Sequence, residues 1–527
     1  MIPNKMKIRS VVFSLFSLFT LCNYAQNKAK NPVIFADVPD MSIIRVNDIY
    51  YMSSTTMHMN PGVPIMKSND LVNWKIVNYA YQTLEDDNDK LNLDNEKNDY
   101  GRGSWASSLN YHNGTYYVST FSGTTGKTYI FSTKDVEKGP WKRTVLNTSY
   151  HDHSIFFDDN GKVYMVWGAG KLQIVELQSD LSAVKEETKK VLIENASAPA
   201  GNNIMLQSEG SQLFKIKGKY YLFNIVWPKD AMRTVIIHRA DSILGPWEGK
   251  VGLQDLGVAQ GGLIDTPDGK WFSYLFKDSG GVGRIPYLVP VEWKDGWPIL
   301  GKNNKVPEYL DLPQSKGLIP GIVNSDDFTR KKNDPDLPLV WQWNHNPDNS
   351  LWSVRERKGY LRLKTGRKDS SFVQAKNTLT QRTFGSECSA STLVEVSKMK
   401  EGDFAGLSLL QKEYGFIAVK VENGTKKIVI LDAVKGNPRE VESISLVQDK
   451  IYFKAACDFK DKADTGRFFY SLDGEKWISI GNAIKLPYTI PHFMGYRFGL
   501  FNYATTNIGG YVDFDYFHIE DQISKNN

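Results

Sequence analysis

Polar and apolar residues alternate in short runs along most of this chain, which is the period of extended strands, and helical spacing is nearly absent. In the first 280 residues one unit recurs five times: an apolar run, a tight turn, then aromatics on an extended pattern. The turns are Asn47-Asp48, Asn113-Gly114, Asn160-Gly161, Lys217-Gly218 and Asp268-Gly269. The aromatics that follow are Tyr50-Tyr51, Tyr116-Tyr117, Tyr164, Tyr220-Tyr221 and Trp271-Phe272. Asn-Gly or Asp-Gly between alternating runs marks a hairpin, because primed turns need positive φ at their central residues. Successive turns lie 47 to 66 residues apart, a spacing that suits one four-stranded blade each. Five units predict a five-bladed β-propeller over residues 26–318.

From Gly301 to Val323 the alternation lapses into Pro, Gly, Lys and Asn, which reads as a linker. It resumes at Asp326-Asp327-Phe328 and continues through segments 360–364, 416–421, 427–431, 468–472 and 511–517. Many short strands over this length predict a concanavalin-like β-sandwich at residues 325–522. With 527 residues the chain is too long for one ordinary core, so an all-β, two-domain protein is expected.

The repeat also points to the chemistry. Nine residues before the Gly of turns two to five stand Trp105, Asp152, Glu209 and Gln260; the equivalent in the shorter first unit is Asp40. Propeller strands run outward from a central channel, so one register of every repeat should ring one mouth of it. A purely structural register would repeat a small or apolar residue. Asp40, Asp152 and Glu209 instead place three mutually repelling acids there, which makes sense only if something at that mouth needs them.

Residues 1–25 read as a signal peptide: Lys5, Lys7 and Arg9, an apolar run from Val11 to Leu21, and Ala25 before the cut. That run is shorter than the roughly 20 residues a membrane helix needs. The mature protein is expected to be exported, periplasmic or secreted, with no membrane span. Cys22 is a weaker lipoprotein signal because Leu21 suits lipidation poorly. Removing the segment takes three positive charges from a net charge of +5, leaving no electrostatic case for nucleic acid. Cys388 and Cys457 remain, read as two buried thiols, with a disulfide in an oxidising compartment as the alternative. Composition leaves the oligomeric state open.

A carboxylic acid and a carboxylate facing each other across a pocket can protonate a leaving oxygen and activate a nucleophile. In glycoside hydrolysis a separation of about 6.5–9.5 Å leaves room for water and inverts the anomeric centre. Asp40 and Glu209, in non-adjacent blades, suit that wider range. Asp152, next to Glu209 in the ring, favours the protonated form of Glu209, which makes Glu209 the acid and Asp40 the base.

These residues resemble glycoside hydrolase family 43. The likeness runs through Asn31-Pro-Val-Ile, Val38-Pro-Asp40-Met, Trp105-Ala, Asp152-His-Ser154, Glu209-Gly-Ser-Gln-Leu, Gln260-Gly-Gly, Gly283-Arg284 and Val291-Glu-Trp. It covers the whole propeller, and the tail resembles the sandwich module of this family's β-xylosidases and α-L-arabinofuranosidases. The resemblance implies Asp40 as general base, Asp152 as modulator and orienter, and Glu209 as general acid. It also implies Trp105 as a sugar-facing wall, Arg284 as a donor to the terminal sugar, and Gln260 and Met57 in the pocket. Phe493, in the loop 491–495, is the candidate for closing one side. Where relatives carry a His beside a central water or calcium this chain has Ala259, which argues against a metal at the centre. His151 and His153 read as polar wall. Asp327, Asp513 and Asp515 could hold a structural calcium; no other cofactor is expected.

The function expected is an exo-acting inverting hydrolase that releases terminal α-L-arabinofuranose from hemicellulose. The segment 57–60 lacks the aromatics of xylosidase-like relatives, which favours the furanose. The alternatives are a β-D-xylosidase, with dual action, and a propeller that binds glycans without cleaving them. Retaining fructosidases are set aside, because their Asn-Asp-Pro-Asn-Gly and Arg-Asp-Pro segments are missing here.

Overall fold

The computed structural model describes residues 28–433, 437–490 and 492–523, so the signal segment 1–25 lies outside the described residues. Five four-stranded antiparallel sheets form the propeller. Their first strands are Ser42–Val46, Ser107–His112, Ser154–Phe157, Ile204–Ile216 and Ala259–Asp265. These strands neighbour one another in turn, and the fifth closes onto the first. Each recurrent turn joins the first two strands of its blade. Asn113 and Gly114 (φ +47° and +74°) and Lys217 and Gly218 (+50° and +80°) adopt the left-handed geometry expected of primed turns.

Serine side chains stitch blade to blade. Ser42 Oγ accepts from Leu109 N, Ser108 Oγ from Ile155 N, and Ser154 Oγ from Leu213 N. On the remaining side Gln212 closes the ring: it accepts from Tyr274 Oη and donates to Met41 O, both at 2.8 Å. Buried amides that lack an in-sheet partner are satisfied in this way.

The C-terminal domain is a sandwich of two eight-stranded sheets. One sheet takes in residues Met59–Asn60 from the first blade, which pair with Gln342–Asn344. The stretch read as a linker contains a strand, Tyr309–Pro313, because it pairs with the N-terminal strand Lys28–Lys30. Cys388 and Cys457 lie opposite each other as buried free thiols. Asp513 is held by Arg357 and Arg362 at 2.8–3.0 Å.

The two domains share one continuous apolar core. Polar contacts lock them further: Gln342 donates to Pro61 O (2.7 Å), Asn346 to Glu85 O (2.7 Å), Arg367 to Asp94 (2.7 Å), and Arg382 to Asp37 O (3.0 Å). Gly283 sits at this seam with φ +96°; a Cβ there would lie 2.3 Å from Asp37 Oδ1 and 2.6 Å from Gly495 N. Gly283→Ala should therefore cost about 2–3 kcal/mol and lower the thermal unfolding midpoint. Gly123→Ala, with nothing within 4 Å of the added methyl, should leave the midpoint unchanged. Equal midpoints for both variants would show that the seam is not tight.

Candidate active site

Asp40 precedes the first strand of blade one in a left-handed conformation, φ +49°. Pro39 O holds that turn, accepting from Ser54 Oγ at 2.7 Å and from Thr55 N at 3.2 Å. Asp152 occupies the same place in blade three, φ +48°, and Gln260 in blade five, φ +50°. Glu209 lies inside the long strand Ile204–Ile216, whose pairing slips on both sides of it. Such a bulge re-aims a side chain. A second slip, between Ala259 and Gly261, does the same for Gln260. A Cβ on Gly210 would lie 2.7 Å from Gln260 Cδ, so Gln260 packs over the residue after Glu209.

The three acids converge. Asp40 and Asp152 are 3% and 6% exposed, and each feels the charge of Glu209. Burial raises the Asp40 carboxyl above its ordinary value; Arg284 draws it back and Glu209 adds to the rise. Burial also raises Asp152, against the pull of His151, while Glu209 and Asp40 push it further up.

Arg284, which the resemblance places on the terminal sugar, donates from Nη1 to Asp40 Oδ1 at 2.7 Å, and both side chains are almost fully buried. Arg284 Nε and Nη2, and Asp40 Oδ2, have no hydrogen-bond partner among the described residues. The pair thus fixes one carboxylate oxygen and leaves the other free to bind a water proton.

Phe493 reaches this site from the sandwich. Its ring meets Trp105 edge-on at 5.6 Å, and the Arg284 guanidinium lies 5.7 Å from its centre. Phe493 is left-handed too, φ +52°, as is Met57, φ +53°. Met57 is only 1% exposed and backs Trp105 and Phe493 instead of lining the surface. Behind them His58, His345 and His492 gather between the domains: His58 lies 4.6 Å from His345 and 5.7 Å from His492, ring to ring.

The sequence reading left His151 as polar wall, yet its Nε2 lies 2.9 Å from Glu209 Oε2 and 3.9 Å from Asp152 Oδ2. Burial disfavours its imidazolium, but Asp152, Glu209 and Asp40 outweigh this and raise it above the ordinary value. His151, Asp152 and Glu209 have donor atoms within 4.8 Å of one another. Within that group His151 and Glu209 are in direct hydrogen-bond contact. His153 is buried and bonded to Tyr150 O and Ser119 Oγ. The one available signal for His151 was its place beside a ring acid.

The description "Glycosyl hydrolases family 43" matches residues 29–298, about half of the chain and the whole propeller. The chain belongs to glycoside hydrolase family 43. Its sandwich matches "Beta xylosidase C-terminal Concanavalin A-like domain" over residues 325–520. A β-xylosidase of Formosa agariphila is 29% identical, covering 92% of this chain and 89% of its own. A non-reducing end α-L-arabinofuranosidase of Bacteroides ovatus is 28% identical, covering 78% and 79%. A solved chain named bifunctional GH43-CE, from Bacteroides eggerthii, is 66% identical with a TM-score of 0.93. That match takes in 94% of this chain, which spans 64% of the length of the other. Xylosidase names are the commoner ones among the curated relatives.

This family 43 enzyme should lose stability in acid through the histidines behind its pocket. Burial is the leading cause that lowers His58, His345 and His492, the last from 6.5 to about 3. A histidine lowered in the folded state binds fewer protons there than when unfolded, so stability is full above pH 6.5 and falls as pH drops below it. The unfolding midpoint should decline steadily from pH 6.5 towards pH 4, and His492→Gln should flatten that decline. An unchanged slope in the variant would remove His492 from the account.

Proposed function

We propose that the enzyme is an exo-acting, inverting pentosidase that removes the terminal sugar of hemicellulose oligosaccharides. The observation that carries this reading is Asp40: one oxygen is tied to buried Arg284, the other has no partner, and Glu209 stands near enough for their charges to interact. Asp40 Oδ2 takes a proton from water as the water oxygen bonds to the anomeric carbon. The glycosidic bond breaks, and the proton of Glu209 goes to the leaving oxygen. Asp152 and His151 govern the proton on Glu209. The unpartnered nitrogens of Arg284 serve as donors to the sugar at the closed end. Trp105 and Phe493 form the aromatic edges of that end, which supports attack on chain termini rather than on the middle of a polymer.

Two pentoses fit. The absence of an aromatic at positions 57–60 favours α-L-arabinofuranose, whereas the names of most relatives favour β-D-xylose. We take β-D-xylosides as the faster substrates and α-L-arabinofuranosides as the second. The oligosaccharide is met outside the cytoplasm, in the periplasm or beyond the cell, and turnover needs no added metal.

Aryl β-xyloside and aryl α-L-arabinofuranoside assays on one preparation should show both activities. Glu209→Ala should reduce turnover of xylobiose by about 10³-fold and of an activated aryl glycoside by far less, since protonation of a good leaving group matters little. Asp40→Asn should abolish both. Equal losses on both substrates in Glu209→Ala would remove Glu209 as the acid, and sugar binding without wild-type turnover would make the propeller a lectin.

A further inference from the structure

His151 has a place that neither the repeat register nor the family likeness assigns. His151 and Asp152 form the turn that leads into the strand Ser154–Phe157, Asp152 in a left-handed conformation, and both side chains lie against Glu209. Gly168 N donates to His151 O at 3.1 Å, and Phe121 meets the imidazole edge-on at 5.2 Å, so backbone and ring are both braced. The imidazole is 47% exposed, against 18% for the Glu209 side chain and 7% for that of Asp152.

Resting on the reading of Glu209 as the acid, we propose that His151 is a positioning residue for it, an imidazolium that holds Glu209 Oε2 and stabilises the carboxylate left when the proton departs. With Oε2 held, Oε1 is the oxygen turned to the leaving group. In each turnover the Glu209 O–H bond breaks, an O–H bond forms on the leaving oxygen, and the negative charge left on Glu209 faces the His151 Nε2–H. The imidazolium keeps its proton throughout, and Glu209 recovers its own from water before the next turnover.

Acidic groups surround that imidazole. Asp152 on the same segment, Glu209 on blade four and Asp40 on blade one all face it. Arg284 on blade five is paired with Asp40, His153 is bonded to Tyr150 and Ser119, and Phe121 on blade two carries no charge. The contrast in burial fits the division of labour: Glu209 is shielded, while His151 stays in touch with water and keeps its proton in equilibrium with it.

The test is His151→Gln in the full chain, with His151→Ala as a second variant. Removing the cation takes away an opposite charge that favours ionisation of the acid, so the upper limb of the kcat/KM profile should move about one pH unit higher. Because a less stabilised carboxylate makes a weaker donor, kcat on xylobiose should fall about tenfold, and on an activated aryl xyloside less than threefold. Added imidazole should restore part of the His151→Ala loss, because the site is open to solvent on that side. A purely structural side chain would instead lower both rates together, leave the upper limb in place and show no rescue by imidazole; that result overturns the proposal. Glu209→Ala run in parallel separates the two claims. If it still discriminates by leaving group while the His151 variants do not, only the role of His151 falls. If it does not discriminate, the reading of Glu209 falls first.

Discussion

Inside the propeller Asp40 and Arg284 meet at 2.7 Å, with both side chains almost fully buried. Burying two charges is costly unless they pair well, and removing one partner leaves the other stranded. The pair is therefore fixed in place by everything around it. The Arg284 amide donates to Asp37 Oδ1 at 2.8 Å, and Val38 N donates back to Arg284 O at 3.0 Å. Arg382, from the sandwich, donates to Asp37 O, and Gly495 packs with its Cα side against Val282 O. This ion pair is thus anchored in both domains, and the sandwich also lends the ring of Phe493 to the site.

The same site concentrates left-handed backbone at residues other than glycine: Asp40, Met57, Asp152, Gln260 and Phe493. Each such residue costs about 1–3 kcal/mol and persists only where its surroundings over-determine it. The hydrogen bonds of Pro39 O, the slipped pairing beside Gln260 and the packed seam around Gly495 supply that support. The effect is to present side chains at angles that regular strands do not allow. Three carboxyl groups can then point into one mouth, with Arg284 and His151 balancing their charge. Family 43 membership describes the scaffold; these local departures from regular strand geometry make the constellation.

Much of this was legible from local signals. The tight turns followed by aromatics mark hairpins whatever their surroundings, and five such units at blade spacing leave few other folds. The register found Asp40, Asp152 and Glu209 because chain geometry repeats with the blades. What could not be read depends on contacts between distant segments. The strand Tyr309–Pro313 exists because Lys28–Lys30 lies beside it, and Met59–Asn60 joins the sandwich because Gln342–Asn344 offers an edge. Arg284 binds Asp40 across more than two hundred residues of sequence, a choice of partner that no spacing encodes. His151 lies one position off the register, in the turn made by the left-handed Asp152, and its contact with Glu209 across 58 residues is one that no spacing encodes.

The account requires Asp40 to deliver water to the sugar from the face opposite Glu209. Proton NMR of the first sugar released from an aryl β-xyloside, read before mutarotation, tests this directly. The account predicts that α-xylose appears first and β-xylose only later, as the anomers equilibrate. β-Xylose as the first product would mean retention through a covalent intermediate, and the base assigned to Asp40 would be wrong.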